Sequence, residues 1–252
     1  MNKYIVAIGG GKIRQLETLA IDREIVSLSK KRNPRLLFIP TASSDKKTYV
    51  QAVEEIYGKK LGCKVNSLLL LSKKPSRKEI KDKILSTDII YVGGGNTLKM
   101  MRLWRKLGVD KLLKTAYNKG TVLCGISAGA ICWFEYGHSD SMSKYNPDNW
   151  DYIRVKCTGI LKGLLCPHFN GMTCGVKRKK SFSQMIEKVG GLGLAIDNHA
   201  AIIFCNNTFR VTNSKKDSKV YKLFKKQRNI VIIPLEPQKE FSPLQAIYSK
   251  TV

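Results

Sequence analysis

Short apolar runs alternate with amphipathic segments through the first half of the chain, and most of these runs lead into glycine or serine. This alternation predicts strands joined by helices, and therefore a mostly parallel sheet covered on both faces. Right-handed crossovers place the carboxyl ends of such strands at one edge, where open α/β sheets bind ligands. The predicted strands are Tyr4–Ile8, Arg35–Ile39, Val65–Leu71, Asp88–Val92 and Thr121–Cys124.

The segments between these strands carry apolar residues at helical spacing. Helices are predicted near Glu17–Lys31, Thr48–Lys60, Ser76–Ser86, Thr97–Leu107 and Asp110–Asn118. In the second half, residues 136–151 are polar and are expected to form a loop. A helix at Lys177–Val189 and short, partly antiparallel strands follow, at Tyr152–Val155, Leu194–Asp197, Ala200–Cys205, Phe209–Thr212, Val220–Phe224 and Asn229–Ile233. Since there is no linker or repeat, one domain is expected over residues 1–252.

Composition limits the setting and the cofactors. No apolar run approaches the roughly 20 residues of a membrane span, so no membrane association is expected. The apolar stretch at the amino terminus is too short for a signal peptide, which indicates a cytoplasmic protein. The seven cysteines are odd in number and include no C-x-x-C pair. Reduced thiols are therefore expected, with no metal and no cofactor.

The net charge of +26 comes mostly from lysines dispersed along the chain. Such a field attracts acidic molecules. The densest basic run, Lys177–Lys180, has no aromatic residues interleaved with it, and the chain contains no RNA-recognition or zinc-finger signature. No specific nucleic-acid partner is therefore expected.

The segment Gly125–Gly129 reads Gly-Ile-Ser-Ala-Gly and lies between a predicted strand and an apolar segment, Ala130–Phe134, that is expected to be helical. This is the G-x-S-x-G pattern of a nucleophile elbow in its required context. The serine of such a turn is strained, and the small flanking residues let strand and helix pack closely. The pattern predicts that Ser127 is a nucleophile and that the backbone N–H of Ala128 faces a developing oxyanion.

His168, at the end of an apolar run, is the histidine best placed to serve as the base. His138, in the polar segment, and His199, in a predicted turn, are expected at the surface. Gly93–Gly95 follow another predicted strand but lack the spacing and the lysine of a P-loop. We therefore expect a glycine of this run to donate a second N–H to the oxyanion.

Three segments together resemble the peptidase E family (S51), which includes dipeptidase E and cyanophycinase. The resemblance covers about residues 1–235 and is carried by Tyr91–Thr97, Gly125–Ala130 and Cys166–Phe169. It implies a three-layer α/β/α sandwich of the class I glutamine amidotransferase type. It also implies metal-independent cleavage of short peptides after aspartate, by a serine in place of the amidotransferase cysteine.

Carried over position by position, the resemblance makes Ser127 the nucleophile and His168 the general base. It makes Ala128, with Gly94 or Gly95, the oxyanion donors.

The third member of the triad departs from the family's pattern, because a carboxylate is common where this chain has Asn198. Asp197, one position earlier, is the favoured acid, although adjacent strand residues face opposite ways. Asn198 itself can orient an imidazole, as asparagine does in papain-like sites. Asp140 and Glu135, which follow the elbow, stay open as further candidates.

A short acidic peptide substrate requires a cationic partner. Arg178 is one candidate, although a solvated helix start explains this residue equally well, and Asn96 is also expected to contact the substrate. A monomer and a homodimer are both compatible with the sequence.

Two other functions compete with the peptidase. An α/β-hydrolase has the triad order serine, acid, histidine, which would require His199 with Asp148 or Asp151; the Gly93–Gly95 run argues against it. A non-catalytic protein with an anionic partner would account for Asn198 and for the basic surface. A cysteine amidotransferase is disfavoured because Cys124 lies inside a predicted strand.

Overall fold

The computed structural model describes residues 2–249; Met1 and residues 250–252, the ends of the expected domain, lie outside the described residues. The chain forms an eight-stranded sheet, a six-stranded sheet and a two-stranded hairpin. The strands are β1 (Tyr4–Ile8), β2 (Arg35–Ile39), β3 (Lys64–Ser67), β4 (Ile89–Val92), β5 (Val122–Ile126), β6 (Phe134–Ser139), β7 (Ile153–Lys156), β8 (Leu161–Cys166), β9 (Met172–Thr173), β10 (Val176–Lys177), β11 (Leu192–Ile196), β12 (Ala200–Cys205), β13 (Thr208–Asn213), β14 (Val220–Lys226), β15 (Asn229–Leu235) and β16 (Ser242–Pro243).

The helices lie mainly between the strands of the first half. They are α1 (Leu19–Leu28), α2 (Lys47–Val53), α3 (Arg77–Leu85), α4 (Thr97–Leu107), α5 (Val109–Asn118), α6 (Ala128–Ile131), α7 (Arg178–Val189) and α8 (Gln245–Tyr248). A π-helical segment, Glu54–Lys60, continues α2, and short 3-10 helices occupy Ile13–Gln15, Thr41–Ser43 and Ser141–Lys144. No helix within residues 2–249 is long and apolar enough to cross a membrane.

The first sheet has the strand order β16-β13-β12-β1-β5-β4-β2-β3. The five adjacent strands β1, β5, β4, β2 and β3 are parallel to one another. Strands β12, β13 and β16 extend the sheet beyond β1 through antiparallel pairs. The carboxyl ends of β1, β4 and β5 therefore meet at one edge, as the alternation in the sequence predicted. The mostly parallel α/β fold is confirmed.

Successive side chains of β1 enter different cores, as the two-residue period of a strand requires. Ile5 and Ala7 pack in a core with α3, α4 and α5, whereas Val6 and Ile8 pack in a core with α1 and α2. Helices thus cover both faces of the first sheet.

The second half of the chain builds a sheet of its own, with the order β15-β14-β11-β8-β6-β7. Strands β6, β8 and β11 are parallel, and the others join antiparallel. One face shares the core of α3 to α5 through Leu165 and Ile196, and the other packs on α7 through Phe182 and Ile186. The loop expected over residues 136–151 is wrong in its first part, since β6 extends to Ser139 and pairs with β8 and β7 in this sheet.

Candidate active site

The carboxyl end of β1 holds together the three segments that carry the candidate residues. The carbonyl of Ile8 accepts the N–H of Ser127 at 3.0 Å, and the carbonyl of Gly9 accepts the N–H of His168 at 3.2 Å. The next carbonyl, that of Gly10, accepts the N–H of His199 at 2.8 Å. The glycine run after the first strand therefore fixes where the elbow and the histidine segments meet.

Ser127 lies on a strained turn between β5 and α6, with φ 57° and ψ −114°. The flanking glycines are required by close backbone approach. A Cβ on Gly125 would lie 2.4 Å from the Gly129 carbonyl oxygen, and one on Gly129 would lie 2.0 Å from that of Val92. The helix after the elbow is shorter than predicted: it ends at Ile131, because the chain turns into β6 at Phe134.

Ser127, His168 and Asn198 form a hydrogen-bonded chain. The Ser127 Oγ lies 2.8 Å from Nε2 of His168, and Nδ1 of the same ring lies 2.6 Å from Oδ1 of Asn198. An amide oxygen only accepts, so Nδ1 carries the proton and donates it to Asn198. This leaves Nε2 free to accept the hydroxyl proton of Ser127, the arrangement that a general base requires.

Gly10 provides the space for the histidine–asparagine pair. A Cβ at this position would lie 2.0 Å from Oδ1 of Asn198 and 2.3 Å from Nδ1 of His168. Any side chain at residue 10 would therefore collide with both partners, which explains a glycine that fits no phosphate-binding pattern.

Asp197, the acid favoured from the sequence, does not contact His168. Its Oδ2 accepts the N–H of Lys219 at 3.1 Å and lies 3.4 Å from the hydroxyl of Tyr221, on β14. Burial raises the pKa of this carboxyl. The expectation that Asp197 orients His168 is therefore wrong. Adjacent residues at a strand end face opposite ways, so Asn198 reaches the imidazole and Asp197 does not.

The two further acids are also engaged elsewhere. Asp140 Oδ2 pairs with Nη2 of Arg178 at 2.5 Å. Glu135 accepts the N–H of Gly163 at 2.8 Å, on the exposed side of β6. Neither acid therefore contacts the imidazole, and Asn198 occupies the position next to it.

Arg178 is the first residue of α7 and is only 4% exposed, so the interpretation as a solvated helix start is wrong. Its guanidinium lies over the ring of Tyr152, 5.1 Å from the centroid, and Nη2 also donates to Thr173 Oγ1 at 3.2 Å. Burial and the nearby charge of Arg178 lower the pKa of His168. The basic run therefore contributes one buried cation to the candidate site.

The glycine loop after β4 lies against the nucleophile. A Cβ on Gly94 would lie 3.3 Å from Cβ of Ser127 and 3.7 Å from its Oγ. Gly95 has φ 140°, and its Cβ would lie 2.2 Å from the carbonyl oxygen of Ala42, so only glycine fits there. Ala128 begins α6, and N–H groups of a first helical turn have no partner inside the helix. Gly94 therefore lies against Ser127, and Ala128 directly follows Ser127 at the start of α6.

Asn96 has a role that the sequence did not predict. Its side chain caps α4 by accepting the N–H of Lys99 at 2.9 Å. Its Nδ2 donates to the carbonyl of Ser141 at 3.3 Å. Asn96 therefore joins the glycine loop to the segment after β6.

The other two histidines lie outside the hydrogen-bonded chain. His138 is fully buried, contrary to expectation, and stacks on Tyr152 with ring centroids 4.3 Å apart. Its Nε2 lies 3.0 Å from Oγ of Ser181, and burial lowers its pKa to about 3. His199 is half-buried in the turn between β11 and β12. The His199-based triad of an α/β-hydrolase is not formed, because His168 occupies the position beside Ser127.

Comparison with known proteins places these features in a family. The model of peptidase family S51 matches residues 5–212 of the chain. The uncharacterized peptidase YgaJ of Bacillus subtilis (strain 168) is 36% identical over 236 residues, which cover 92% of this chain and 97% of YgaJ. The uncharacterized peptidase Lmo0363 of Listeria monocytogenes is 36% identical over 96 residues, covering 37% of this chain and 45% of the relative.

Two solved structures share the fold. A peptidase from an acI-B1 Actinobacterium superimposes with a TM-score of 0.71 at 17% identity, covering 96% of this chain and 97% of its own. A Listeria monocytogenes EGD-e protein named for peptidase E superimposes with a TM-score of 0.64 at 22% identity, covering 84% and 99%. At these identities the likeness concerns the arrangement of strands and helices.

Proposed function

This chain belongs to peptidase family S51, and from that premise we propose that it is a serine peptidase that cleaves short peptides after aspartate. The single observation that carries the proposal is the 2.8 Å contact between Ser127 Oγ and His168 Nε2 at a strained elbow. A hydroxyl and a base within hydrogen-bond reach, with the base oriented by a third group, are the requirements for nucleophilic catalysis.

In the proposed first step, His168 takes the Ser127 proton while Oγ attacks the carbonyl carbon of the scissile peptide bond. The lowered pKa of His168 supports this role, because the ring is then neutral at pH 7 and ready to accept a proton. The same imidazolium next protonates the departing amine, and water releases the acyl group from Ser127 by the reverse route.

Asn198 is the proposed orienting residue for the imidazole. Its Oδ1, 2.6 Å from Nδ1, selects the tautomer in which Nε2 accepts. An amide carries no net charge, so it stabilises the imidazolium less than the carboxylate of a serine–histidine–acid triad does. The proposed mechanism therefore uses a weaker third member.

The negative charge of the tetrahedral intermediate is assigned to backbone N–H groups. Ala128 supplies one, from the first turn of α6, and Gly94 or Gly95 supplies the other. In the resting structure the Gly94 N–H points to the hydroxyl of Tyr49 at 3.4 Å, a weak contact. The proximity of this loop to Oγ supports its role, since donors must face the oxygen that develops charge.

Arg178 is the proposed partner of the acidic substrate side chain. It is buried, and its backbone N–H donates to the carbonyl of Gly171, whose own N–H donates to the carbonyl of His168 at 2.8 Å, so the start of α7 lies close to the base. Asp140 holds one of its nitrogens, and a guanidinium has five N–H donors, which leaves others for a substrate carboxylate. The seven cysteines are free thiols, which supports a reducing, cytoplasmic location for this activity.

The test is hydrolysis of Asp-X, Glu-X and neutral dipeptides by the wild type, Ser127→Ala and His168→Ala. We expect Asp-X dipeptides to be cleaved fastest, and both variants to lose at least about a thousandfold in kcat/KM. Cleavage by Ser127→Ala at the wild-type rate would overturn the mechanism.

One observation favours a second candidate, a binding protein that keeps the fold without catalysis. Asn198 replaces the expected carboxylate, and the net charge of +26 suits an anionic partner. A wild-type protein inert to the whole dipeptide panel and to acylating reagents, yet retained by a polyanion at low salt, would favour this candidate.

A further inference from the structure

A cavity of about 420 Å³ lies beside the candidate site, between the segment that follows β1 and the start of α2. Its walls include Gly11, Lys12, Arg14, Lys46 and Tyr49. A larger cavity, of about 780 Å³, lies between β2, β3 and α3. Neither lining includes a candidate catalytic residue, but the smaller cavity includes Gly11, next to Gly10, and Tyr49, which contacts Gly94. The smaller cavity is therefore the one whose position suits a substrate.

Two contacts connect this cavity to the nucleophile. The hydroxyl of Tyr49, in the wall, accepts the N–H of Gly94 at 3.4 Å, and a Cβ on Gly94 would lie 3.7 Å from Oγ of Ser127. On the other side, Gly11 directly follows Gly10, which lies against the ring of His168. Gly94 therefore lies between Tyr49 and Ser127, and Gly10 lies between Gly11 and His168.

The cavity and Arg178 lie on opposite sides of the first sheet. Tyr49 packs with the core under α1 and α2, whereas the second sheet, beside which Arg178 lies, packs against the opposite core. Ser127 stands between them at the sheet edge. If Arg178 holds the acyl side of the substrate, the cavity faces the leaving-group side.

The charge of the cavity is one-sided. Its lining contains three cations, Lys12, Arg14 and Lys46, and no acidic residue. Nη2 of Arg14 donates to the carbonyl of Thr48 at 2.5 Å, which fixes the guanidinium in the wall. The nearby carboxylate of Glu17 accepts the backbone N–H of Lys12 at 2.7 Å.

We propose that this cavity binds the residue on the leaving-group side of the scissile bond and selects for carboxylate groups on it. The inference rests on the proposed function and names the substrate class: a dipeptide whose leaving residue has a free carboxylate, preferably with an acidic side chain. An Asp-Glu dipeptide then presents two carboxylates to three cations. An Asp-Arg dipeptide brings a cation into the same field and is disfavoured.

The kinetic test compares Asp-Glu with Asp-Arg for the wild type, Lys46→Glu and Lys47→Glu. Lys47 is the adjacent exposed residue outside the cavity lining, so its variant has the same net charge and serves as the matched control. We expect the wild type to prefer Asp-Glu at least about fivefold in kcat/KM, the size of effect that partly exposed charges give. Lys46→Glu should reduce this ratio by about fivefold through KM, whereas Lys47→Glu should leave it within about twofold.

Equal kcat/KM for the two peptides in the wild type, or the same ratio in both variants, would overturn the inference and leave the proposed function intact. Calorimetric titration of Ser127→Ala with the same peptides tests the cavity even if the proposed peptidase activity is absent. Tighter binding of Asp-Glu than of Asp-Arg, lost on adding Lys46→Glu, would support the cavity even if the wild type hydrolysed neither peptide. Absence of both binding and hydrolysis would overturn both.

Discussion

The amide oxygen of Asn198 lies 2.6 Å from Nδ1 of His168 and takes the position beside the imidazole that an acid is expected to hold. Because the oxygen accepts the Nδ1 proton, the ring keeps the tautomer that can deprotonate Ser127. In the proposed mechanism the neutral amide orients the base but stabilises its charged form weakly. The proposed triad therefore combines a well-oriented base with a reduced electrostatic contribution from its third member.

Replacing Asn198 tests this division between orientation and charge. Asn198→Asp should raise kcat, by roughly tenfold, because a carboxylate stabilises the imidazolium. It should also raise the pKa of His168, so the acid limb of the rate profile moves to higher pH. Asn198→Ala should lower kcat at least about tenfold. The measurement is kcat and KM against pH for each variant.

Asp197→Asn is the matched control for these variants, since its carboxyl binds Lys219 and Tyr221 rather than His168. It should change kcat by less than about threefold, although its lost hydrogen bonds will lower stability. A larger loss of kcat for Asp197→Asn than for Asn198→Ala would restore Asp197 as the third catalytic group.

Gly10→Ala should strongly reduce activity without unfolding the protein. The new Cβ would lie 2.0 Å from Oδ1 of Asn198, so the pair must separate. We expect kcat to fall by about a hundredfold, as misplacement by about 1 Å does in other enzymes. Gly58→Ala is the control, because its Cβ would make its nearest contact at 3.5 Å, with Val65. Near-normal kcat in a folded Gly10→Ala protein would show that the pair is not needed.

The pH dependence follows from the lowered pKa of His168. A base whose pKa lies below its ordinary 6.5 is more than half neutral at pH 6.5, so the acid limb of kcat/KM should have its midpoint below pH 6.5. NMR titration of the imidazole should show the same midpoint. Arg178→Gln removes a cation that opposes protonation, so the midpoint should move to higher pH. An acid limb above 6.5 in the wild type would contradict this assignment.

How much the sequence predicted depended on whether a property was local. Four elements have the predicted bounds: strands β1, β2 and β12 and helix α4. Their apolar residues and the breakers that end them are close together in the sequence. The elbow glycines were predictable for the same reason. Strand β6 was missed because Glu135, His138 and Ser139 make it polar, and its burial comes from neighbours in the second sheet.

The site residues that the sequence predicted wrongly depend on contacts between segments far apart in the chain. Arg178 looked solvated within a basic run, yet it is buried against Asp140, 38 residues away. The sequence favoured Asp197 over Asn198, whereas the structure places Asn198 beside the imidazole, because the choice depends on which way the chain turns after β11. A buried pair or a turn leaves little trace in one sequence, whereas a strained serine between two glycines leaves a clear one.

His138 predicts how stability depends on pH. Burial holds its pKa at about 3 in the folded protein, whereas the unfolded chain binds the proton below about 6.5. The stability that the buried neutral ring contributes is therefore complete well above pH 6.5 and is lost as the pH falls toward 3, by about 2 kcal/mol between pH 7.5 and 5.0. Urea unfolding at pH 7.5 and 5.0 should show a smaller pH effect in His138→Gln than in the wild type.

His199→Gln, in the half-buried turn, is the control for replacing a histidine with glutamine. Equal pH dependence in His138→Gln and the wild type would mean that His138 is not the group that binds the proton on unfolding.

The central claim, that Ser127 is a nucleophile activated by His168, is tested most directly by covalent labelling. A fluorophosphonate reagent is added to the wild type, Ser127→Ala and His168→Ala, and the modified residue is identified by peptide mass spectrometry. We expect a single adduct on Ser127 in the wild type, at least about a hundredfold slower labelling of His168→Ala, and none at this site in Ser127→Ala. Peptide hydrolysis that continues while Ser127 stays unlabelled, or an adduct on a different residue that stops hydrolysis, would contradict it.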